Sequence, residues 1–105
     1  MAKQTVKYPN GLNLAPVHPG RTLAAELSAR DLSASALALK LRVSANRVTD
    51  IVRGERAISA ETALRLGRYF GTGAEFWMNL QAQYDLAVAR RQYGGAVERE
   101  VEIAA

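Results

Sequence analysis

The stretch from Ala34 to Arg53 places the tightest limits on what this chain can fold into. Its apolar residues recur at helical spacing in two short segments, which predicts two short helices with a sharp turn between them. Ser44 is a good N-cap for the second helix, and Gly54 is expected to end it. The positions expected to face inward are Leu37, Ala38, Leu41, Val48 and Ile51.

The outward side of the second segment carries short polar side chains and one long cation. Such a face suits the base edges of a DNA major groove, which display hydrogen-bond donors and acceptors within reach of a helix. The spacing of the apolar residues is that of a helix-turn-helix, and the second segment is its predicted recognition helix. The residues expected to reach base edges are Ala45, Asn46, Thr49, Asp50 and Arg53.

The turn between the two helices departs from the usual pattern. Phage-repressor-type proteins usually have glycine where this chain has Arg42, and glutamine or a similar residue where it has Ala34. A positive φ at Arg42 would cost about 1–2 kcal/mol, and a contact with phosphate would offset part of that cost.

Hydroxyl and cationic side chains flank the predicted recognition helix, where they are suited to the DNA backbone. Ser33 is interpreted first as the N-cap of the first motif helix, whereas for Ser35 a contact with phosphate stays open. The residues predicted to contact phosphate are Ser33, Ser35, Arg42, Ser44, Arg47 and Arg56.

Composition narrows the class of protein. The 105 residues suffice for one domain, and the net charge of +4 mildly favours a polyanionic partner. There is no cysteine for a disulfide or a thiolate metal site, and one histidine with scattered carboxylates does not suggest an active site. We expect a cytoplasmic, nucleoid-associated protein without metal, cofactor, small-molecule substrate, membrane contact or enzymatic activity.

The remaining elements predict an all-α fold. Residues 1–17 are expected to form an irregular arm with a short extended piece at Thr5–Tyr8 and a turn at Asn10–Gly11. His18 and Pro19 open a helix that stops near residues 30–32, with His18 interpreted as a helix-end residue. Residues 18–93 form the DNA-binding domain in this interpretation, with the helix-turn-helix at 34–53.

Two further helices follow the motif in the sequence. Ser59 is expected to cap the first of them, which ends at Gly71. Thr72 to Glu75 matches a capping box at the start of the second, in which the glutamate would bond back to the threonine amide. The fold class is therefore a five-helix, phage-repressor-like domain with a long C-terminal helix and short irregular or extended termini.

The last helix is predicted to run from about residue 73 to 91, with a band of large apolar side chains. This band is wider than one small core requires, so we expect part of it to be buried between two copies of the chain. For Trp77 and Tyr84 the alternative is that they seal the core. The predicted dimer residues are Phe76, Trp77, Leu80, Tyr84 and Val88.

Residues 94–105 are predicted to form a charged tail after the helix breaks at Gly94–Gly95. Apolar and acidic residues alternate from Val97 to Ile103, which is typical of a strand. Two alternatives stay open: a frayed, charged tail, or a strand that adds to a sheet supplied by a partner or a second protomer.

From His18 to Arg91 the chain resembles HigA-type antitoxins of the VapI branch of the phage-repressor-like (XRE) proteins. The resemblance depends on the opening His-Pro-Gly, the Arg-Gly-Glu-Arg after the recognition helix, and two longer runs. These runs are residues 62–72, TALRLGRYFGT, and residues 74–86, which contain the highly specific Phe76–Trp77 pair. The resemblance implies a homodimer that binds an operator inverted repeat, represses its own operon and neutralises a HigB-type mRNA endonuclease toxin.

Carried over by position, Asn46 is the first choice for direct readout, because its amide can form paired bonds with adenine. Arg53 is placed to reach a guanine or a phosphate. Asp50 either accepts from cytosine or orients Arg47 or Arg53 through an ion pair on the helix, and we favour the ion pair.

Two other functions are alternatives to an antitoxin. A solitary phage-repressor-like transcriptional regulator would bind operator DNA without a toxin partner. A module that binds only protein is disfavoured by the cations Arg53 and Arg56 beside the recognition helix.

Overall fold

The computed structural model describes residues 6–7 and 13–105 of the chain. Two two-residue strands, β1 (Val6–Lys7) and β2 (Asn13–Leu14), pair antiparallel in the N-terminal arm. The predicted extended piece is therefore confirmed at Val6–Lys7, whereas its ends, Thr5 and Tyr8, and the predicted turn at Asn10–Gly11 lie outside the described residues.

Five helices make up the rest of the described chain, as the all-α prediction required. They are α1 (Pro19–Ala29), α2 (Ala34–Leu41), α3 (Ala45–Val52), α4 (Ala60–Phe70) and α5 (Ala74–Glu100). Helix α3 packs against α1 and α2, while α4 packs against α2 and α5. The recognition helix is thus held from behind by the two helices that precede it.

The core lies between these helices and contains the apolar stripe predicted for the motif. Leu37 and Leu41 of α2 and Val48 and Ile51 of α3 are each at most 4% exposed. Trp77 of α5 is completely buried in the same cluster. The helices therefore face the core in the predicted orientation, and the opposite side of α3 is left to solvent.

Gly20 allows α1 to lie directly against the end of the recognition helix. A Cβ atom at this position would collide with the carbonyl oxygen of Ile51. Any side chain here would push α1 and α3 apart, so a glycine is required by the packing.

Two predictions about α5 were wrong. The helix does not break at Gly94–Gly95 but continues to Glu100, so Val97–Glu100 are helical and the predicted strand does not form there. A glycine inside a helix costs about 1 kcal/mol, which the helix-forming residues on both sides of the pair can offset. After the helix, Val101 is extended and residues 101–105 are exposed.

The predicted capping box at the start of α5 is also not formed. Gly73 is the N-cap residue, one position later than expected, and no side chain caps the helix. The Thr72 hydroxyl donates instead to the Gly73 carbonyl at 3.0 Å. Gly73 has a φ of +82°, a conformation that other residues rarely adopt, so the chain enters α5 through a glycine turn.

Candidate DNA interface

The outer face of α3 carries the residues predicted to reach base edges. Ala45, Asn46 and Arg53 are exposed, while Thr49 and Asp50 are half-buried along the side of the helix. Val48 and Ile51, each 1% exposed, point the other way into the core. The small polar face therefore faces solvent on a helix fixed from behind, as access to a DNA groove requires.

Two serines cap the helices of the motif, as predicted. The Ser33 hydroxyl accepts from the Ala36 amide at 3.0 Å, and the Ser44 hydroxyl accepts from the Arg47 amide at 3.2 Å. Both serines, and Ser35 in the first turn of α2, are exposed. The N-termini of α2 and α3 thus present amides and hydroxyls to solvent, an arrangement suited to phosphate.

Arg42 adopts the left-handed conformation that the sequence suggested, with a φ of +61°. The Arg42 amide donates to the Leu39 carbonyl at 3.3 Å, and the Val43 amide donates to the Ala38 carbonyl at 3.0 Å. These bonds form a Schellman motif that ends α2 and sets the direction of α3. The arginine side chain is exposed beside the recognition helix.

Arg47 is bound by a carboxylate on the following helix. Its guanidinium lies 3.1 Å from Glu61, which also accepts from Arg65 at 3.1 and 3.2 Å. Arg65 donates further to the Leu41 carbonyl at 2.9 Å, so the network joins α2, α3 and α4. The hydrogen bonds from Arg65, and then the one from Arg47, hold the pKa of Glu61 below its ordinary value.

Asp50 forms an ion pair with Arg56, at 3.1 Å. The expectation that it pairs with Arg47 or Arg53 was therefore wrong. The reason lies in the end of α3, where the Glu55 amide donates to the Asp50 carbonyl at 2.8 Å and Gly54 has a φ of +77°. This reversal brings the loop, and Arg56 with it, back beside Asp50.

Gln81 of α5 fixes the loop that follows α3 and carries Arg56. Its side-chain oxygen accepts from the buried Ile58 amide at 2.8 Å, and its side-chain nitrogen donates to Asp85 at 2.9 Å. Sequence reasoning missed this residue, although a glutamine on the inward face of an apolar helix is an unusual feature. The hydrogen bond between Ile58 and Gln81 therefore anchors the loop that carries Arg56 to the core.

His18 is the N-cap of α1, and its Nδ1 accepts from the Gly20 amide at 2.9 Å. The ring packs edge-on against Tyr84 and lies close to Gly54. Burial lowers the pKa of His18, and this effect is partly opposed by a hydrogen bond to the Arg56 backbone and by the charge of Asp85. The histidine is thus a helix-end residue that touches the interface loop, as its position before proline indicated.

Protein stability is expected to fall as the pH drops through the range in which histidine titrates. Because the pKa of His18 is lowered in the fold, the unfolded chain takes up a proton at higher pH, which favours unfolding. The contribution of neutral His18 to stability is complete above the ordinary histidine pKa of about 6.5. It is lost as the pH falls through the lowered pKa that His18 has in the folded protein. Urea unfolding between pH 7 and 5 should show this loss.

His18→Asn provides the matched control, because asparagine can cap a helix without titrating. Since the chain has one histidine, the variant should lose most of the pH dependence in this range. An equal decline in the two proteins would contradict the assignment to His18.

The residues predicted for a dimer interface lie mainly on the inward side of α5. Trp77 is fully buried within one chain, so the prediction that it joins the interface was wrong and the core alternative holds. Leu80, Tyr84 and Val88 are half-buried, and Phe76 is 40% exposed. Helical periodicity explains the difference, because Trp77 lies at the centre of the side that packs against the core.

The opposite side of α5 carries a second apolar stripe. Its members share one face of the helix and are each at least 36% exposed: Met78, Leu86, Tyr93 and Val97. The broad apolar band predicted for the last helix is therefore divided between two faces of α5. One face packs against the core, and the other is exposed to solvent.

The described part of the chain contains no group of three or more acidic, histidine or cysteine side chains that could hold a metal ion. Within the same residues, no helix combines the length and the apolar character needed to cross a bilayer.

Comparison with known proteins agrees with this geometry. The helix-turn-helix family matches residues 23–77. Virulence-associated protein I of Dichelobacter nodosus is 51% identical over 88 residues, which is 82% of each chain. The similarity therefore extends well beyond the helix-turn-helix motif at residues 34–53.

Solved structures match a similar share of the chain, about 85%. The Pseudomonas aeruginosa antitoxin HigA, solved with the higBA promoter, is 53% identical, with a TM-score of 0.83 over 86% of this chain and 99% of that one. A HigA-family addiction module antidote protein from Coxiella burnetii is 49% identical, with a TM-score of 0.84 over 85% of this chain and 98% of that one. The chain belongs to the HigA-type antitoxins of the phage-repressor-like helix-turn-helix family.

Proposed function

We propose that this antitoxin is an operator-specific repressor in which α3 lies in the major groove. The observation that carries the proposal is the outer face of α3, where Asn46 is exposed and where Arg47, together with Arg56 of the following loop, is held by a carboxylate. Each protomer of a homodimer would read one half of an inverted repeat, with half-sites about 34 Å apart. Footprinting of the promoter upstream of its own gene tests this, and equal affinity for random DNA would contradict it.

The proposed roles divide the interface into base contacts and backbone contacts. Ala45, Asn46, Thr49 and Asp50 face the bases, and Arg53 at the end of the helix reaches a guanine or a phosphate. The backbone contacts come from the exposed or half-buried residues around them: Ser33, Ser35, Arg42, Ser44, Arg47 and Arg56. To reach phosphate, Arg47 and Arg56 exchange their carboxylate partners for the DNA.

Asn46→Ala and Arg56→Ala are expected to weaken DNA binding in different ways. Loss of the asparagine amide should cost about 1–3 kcal/mol on the operator and relax its sequence preference. Loss of the Arg56 charge should weaken operator and scrambled DNA alike and reduce the salt dependence. Fluorescence titration with both duplexes at fixed salt measures the difference.

Ser28→Ala, at an exposed position of α1 outside the outer face of α3 and the apolar stripe of α5, serves as the control and should bind like the parent protein. An Asn46→Ala variant that loses the same factor on both duplexes would remove Asn46 from base readout.

For the homodimer we propose the exposed stripe on α5 as the main contact. Support comes from Met78, Leu86, Tyr93 and Val97, which leave an apolar face in water on the side away from the core. Phe76, which is exposed, remains a proposed neighbour of this contact. Leu80, Tyr84 and Val88 lie on the core side of α5, and we propose that they support the contact by fixing the helix. Leu86→Glu would place a charge in this apolar contact and should shift the sedimentation coefficient toward that of a monomer. A variant that sediments as an unchanged dimer would show that the dimer contact lies elsewhere.

We further propose that the protein neutralises a HigB-type toxin and acts in the cytoplasm at the nucleoid. The support is its family and its similarity to an antitoxin solved with the higBA promoter. Co-expression with the protein encoded next to its gene should rescue growth and yield a complex. Operator binding without such a neighbour would favour the solitary regulator.

A further inference from the structure

A groove on the side of the motif lies between the C-terminal end of α2, the turn and α4. It has a volume of about 460 Å³. The residues that matter for its chemistry are Lys40, Arg42, Leu64, Arg65, Arg68 and Tyr69. We call this the basic groove.

The basic groove combines unneutralised charge with apolar surface. Within the described residues, Lys40, Arg42 and Arg68 have no ion-pair partner, and the carboxylate of Glu61 is already shared by Arg47 and Arg65. The groove also includes Leu64, which is 64% exposed, and Tyr69, which is 39% exposed.

This mixture of charge and apolar surface defines the chemistry of an occupant. Arginine and lysine attract carboxylates, and an exposed leucine beside a tyrosine offers contact to an aliphatic side chain. A DNA backbone is dominated by charged phosphates and offers Leu64 no aliphatic side chain to pack against. The groove is therefore suited to an acidic peptide segment with aliphatic side chains.

The C-terminal segment of this chain, residues 100–105, has that composition. Glu100 and Glu102 alternate with Val101 and Ile103. Val101 is 64% exposed and Ile103 is 97% exposed, so the described fold leaves both uncovered. Charge and apolar character thus match those of the basic groove.

The segment cannot reach the groove of its own chain. Tyr69 lies just before the start of α5, and the 27 residues of α5 extend about 40 Å to the far end. The five residues after the helix span at most about 17 Å. This segment can therefore occupy only the groove of a second copy.

We propose that the C-terminal segment of one copy docks in the basic groove of another. The glutamates face Lys40 and Arg68, and the aliphatic side chains cover Leu64. This contact goes beyond the proposed operator binding and does not depend on it. It also gives a role to the segment after the DNA-binding helices.

Single-cysteine cross-linking tests the proposal directly, because the chain contains no cysteine of its own. Leu64→Cys and Ile103→Cys, one of them tagged, are mixed and mildly oxidised. Docking should give about tenfold more mixed disulfide than random collision, through the higher local concentration. The control pairs Ser28→Cys, exposed on α1, with Ile103→Cys. Equal yields from the two mixtures would overturn the proposal.

Charge reversal supplies a second measurement. In the cysteine background, Lys40→Glu with Arg68→Glu, or Glu100→Lys with Glu102→Lys, should each lower the yield by about tenfold, because like charges then face each other. Mixing the two reversed proteins should restore it. If the groove variant instead loses operator binding while cross-linking is unchanged, the groove contacts DNA and the proposal fails.

Discussion

Between roughly 50 and 200 mM salt, operator binding is expected to weaken by about 10³- to 10⁵-fold. Three of the predicted phosphate contacts in each protomer are arginines, Arg42, Arg47 and Arg56, so a dimer brings six of these charges to the DNA. Each contact releases a counterion, and proteins with about 6–10 contacts lose affinity on this scale. Anisotropy titrations at a series of salt concentrations measure the slope.

The slope itself identifies the contributing residues. Removing one arginine from each protomer takes two charges from the dimer and should make the log–log slope shallower by about 1.8. Arg30→Ala, exposed at the C-terminal end of α1, should leave the slope unchanged. A slope near zero for the parent protein would exclude binding through the DNA backbone.

Trp77→Ala is expected to lower the free energy of unfolding by about 3–5 kcal/mol, which is much of the stability of a domain of this size. Trp77 is completely buried and packs against Phe70 and Phe76, with ring centroids 5.8 and 5.1 Å away. The change leaves a cavity where α4 meets α5. Denaturant unfolding followed by circular dichroism measures the loss.

Two variants separate packing from the other contributions of the indole. Phe76→Ala, at the neighbouring but 40% exposed position, should cost much less. Trp77→Phe should also cost less, because the indole nitrogen has no hydrogen-bond partner among the described residues and its removal leaves no polar group unpaired. A cost for Trp77→Ala no larger than that for Phe76→Ala would contradict a central role of Trp77 in the packing of the core.

The features predicted correctly from sequence are mainly local ones. Ser33, Ser44 and Ser59 each cap the helix that follows, because the bond joins a hydroxyl to an amide three residues later. The burial of Val48 and Ile51 follows from the helical period alone. Such signals locate the recognition helix and its outward face.

Contacts between distant residues could not be predicted in the same way. Arg47 and Glu61 are 14 residues apart, and Ile58 and Gln81 are 23 apart, so their pairing depends on how α4 and α5 pack. The helix through Gly94 was missed because glycine pairs usually end helices, whereas the surrounding residues here sustain one. The inward direction of Trp77 likewise depends on the placement of α5.

The ion pairs of Arg47 and Arg56 affect the thermodynamics of association. Exposed pairs of this kind contribute little to folding, but they restrict the rotamers of two long side chains before any duplex is present. Immobilising such a side chain at an interface costs about 0.5–1.5 kcal/mol of conformational entropy. Arg47 and Arg56 leave their carboxylates to reach phosphate, so their order in the free protein does not lower this cost, and the contacts with DNA must also compensate for the two lost ion pairs.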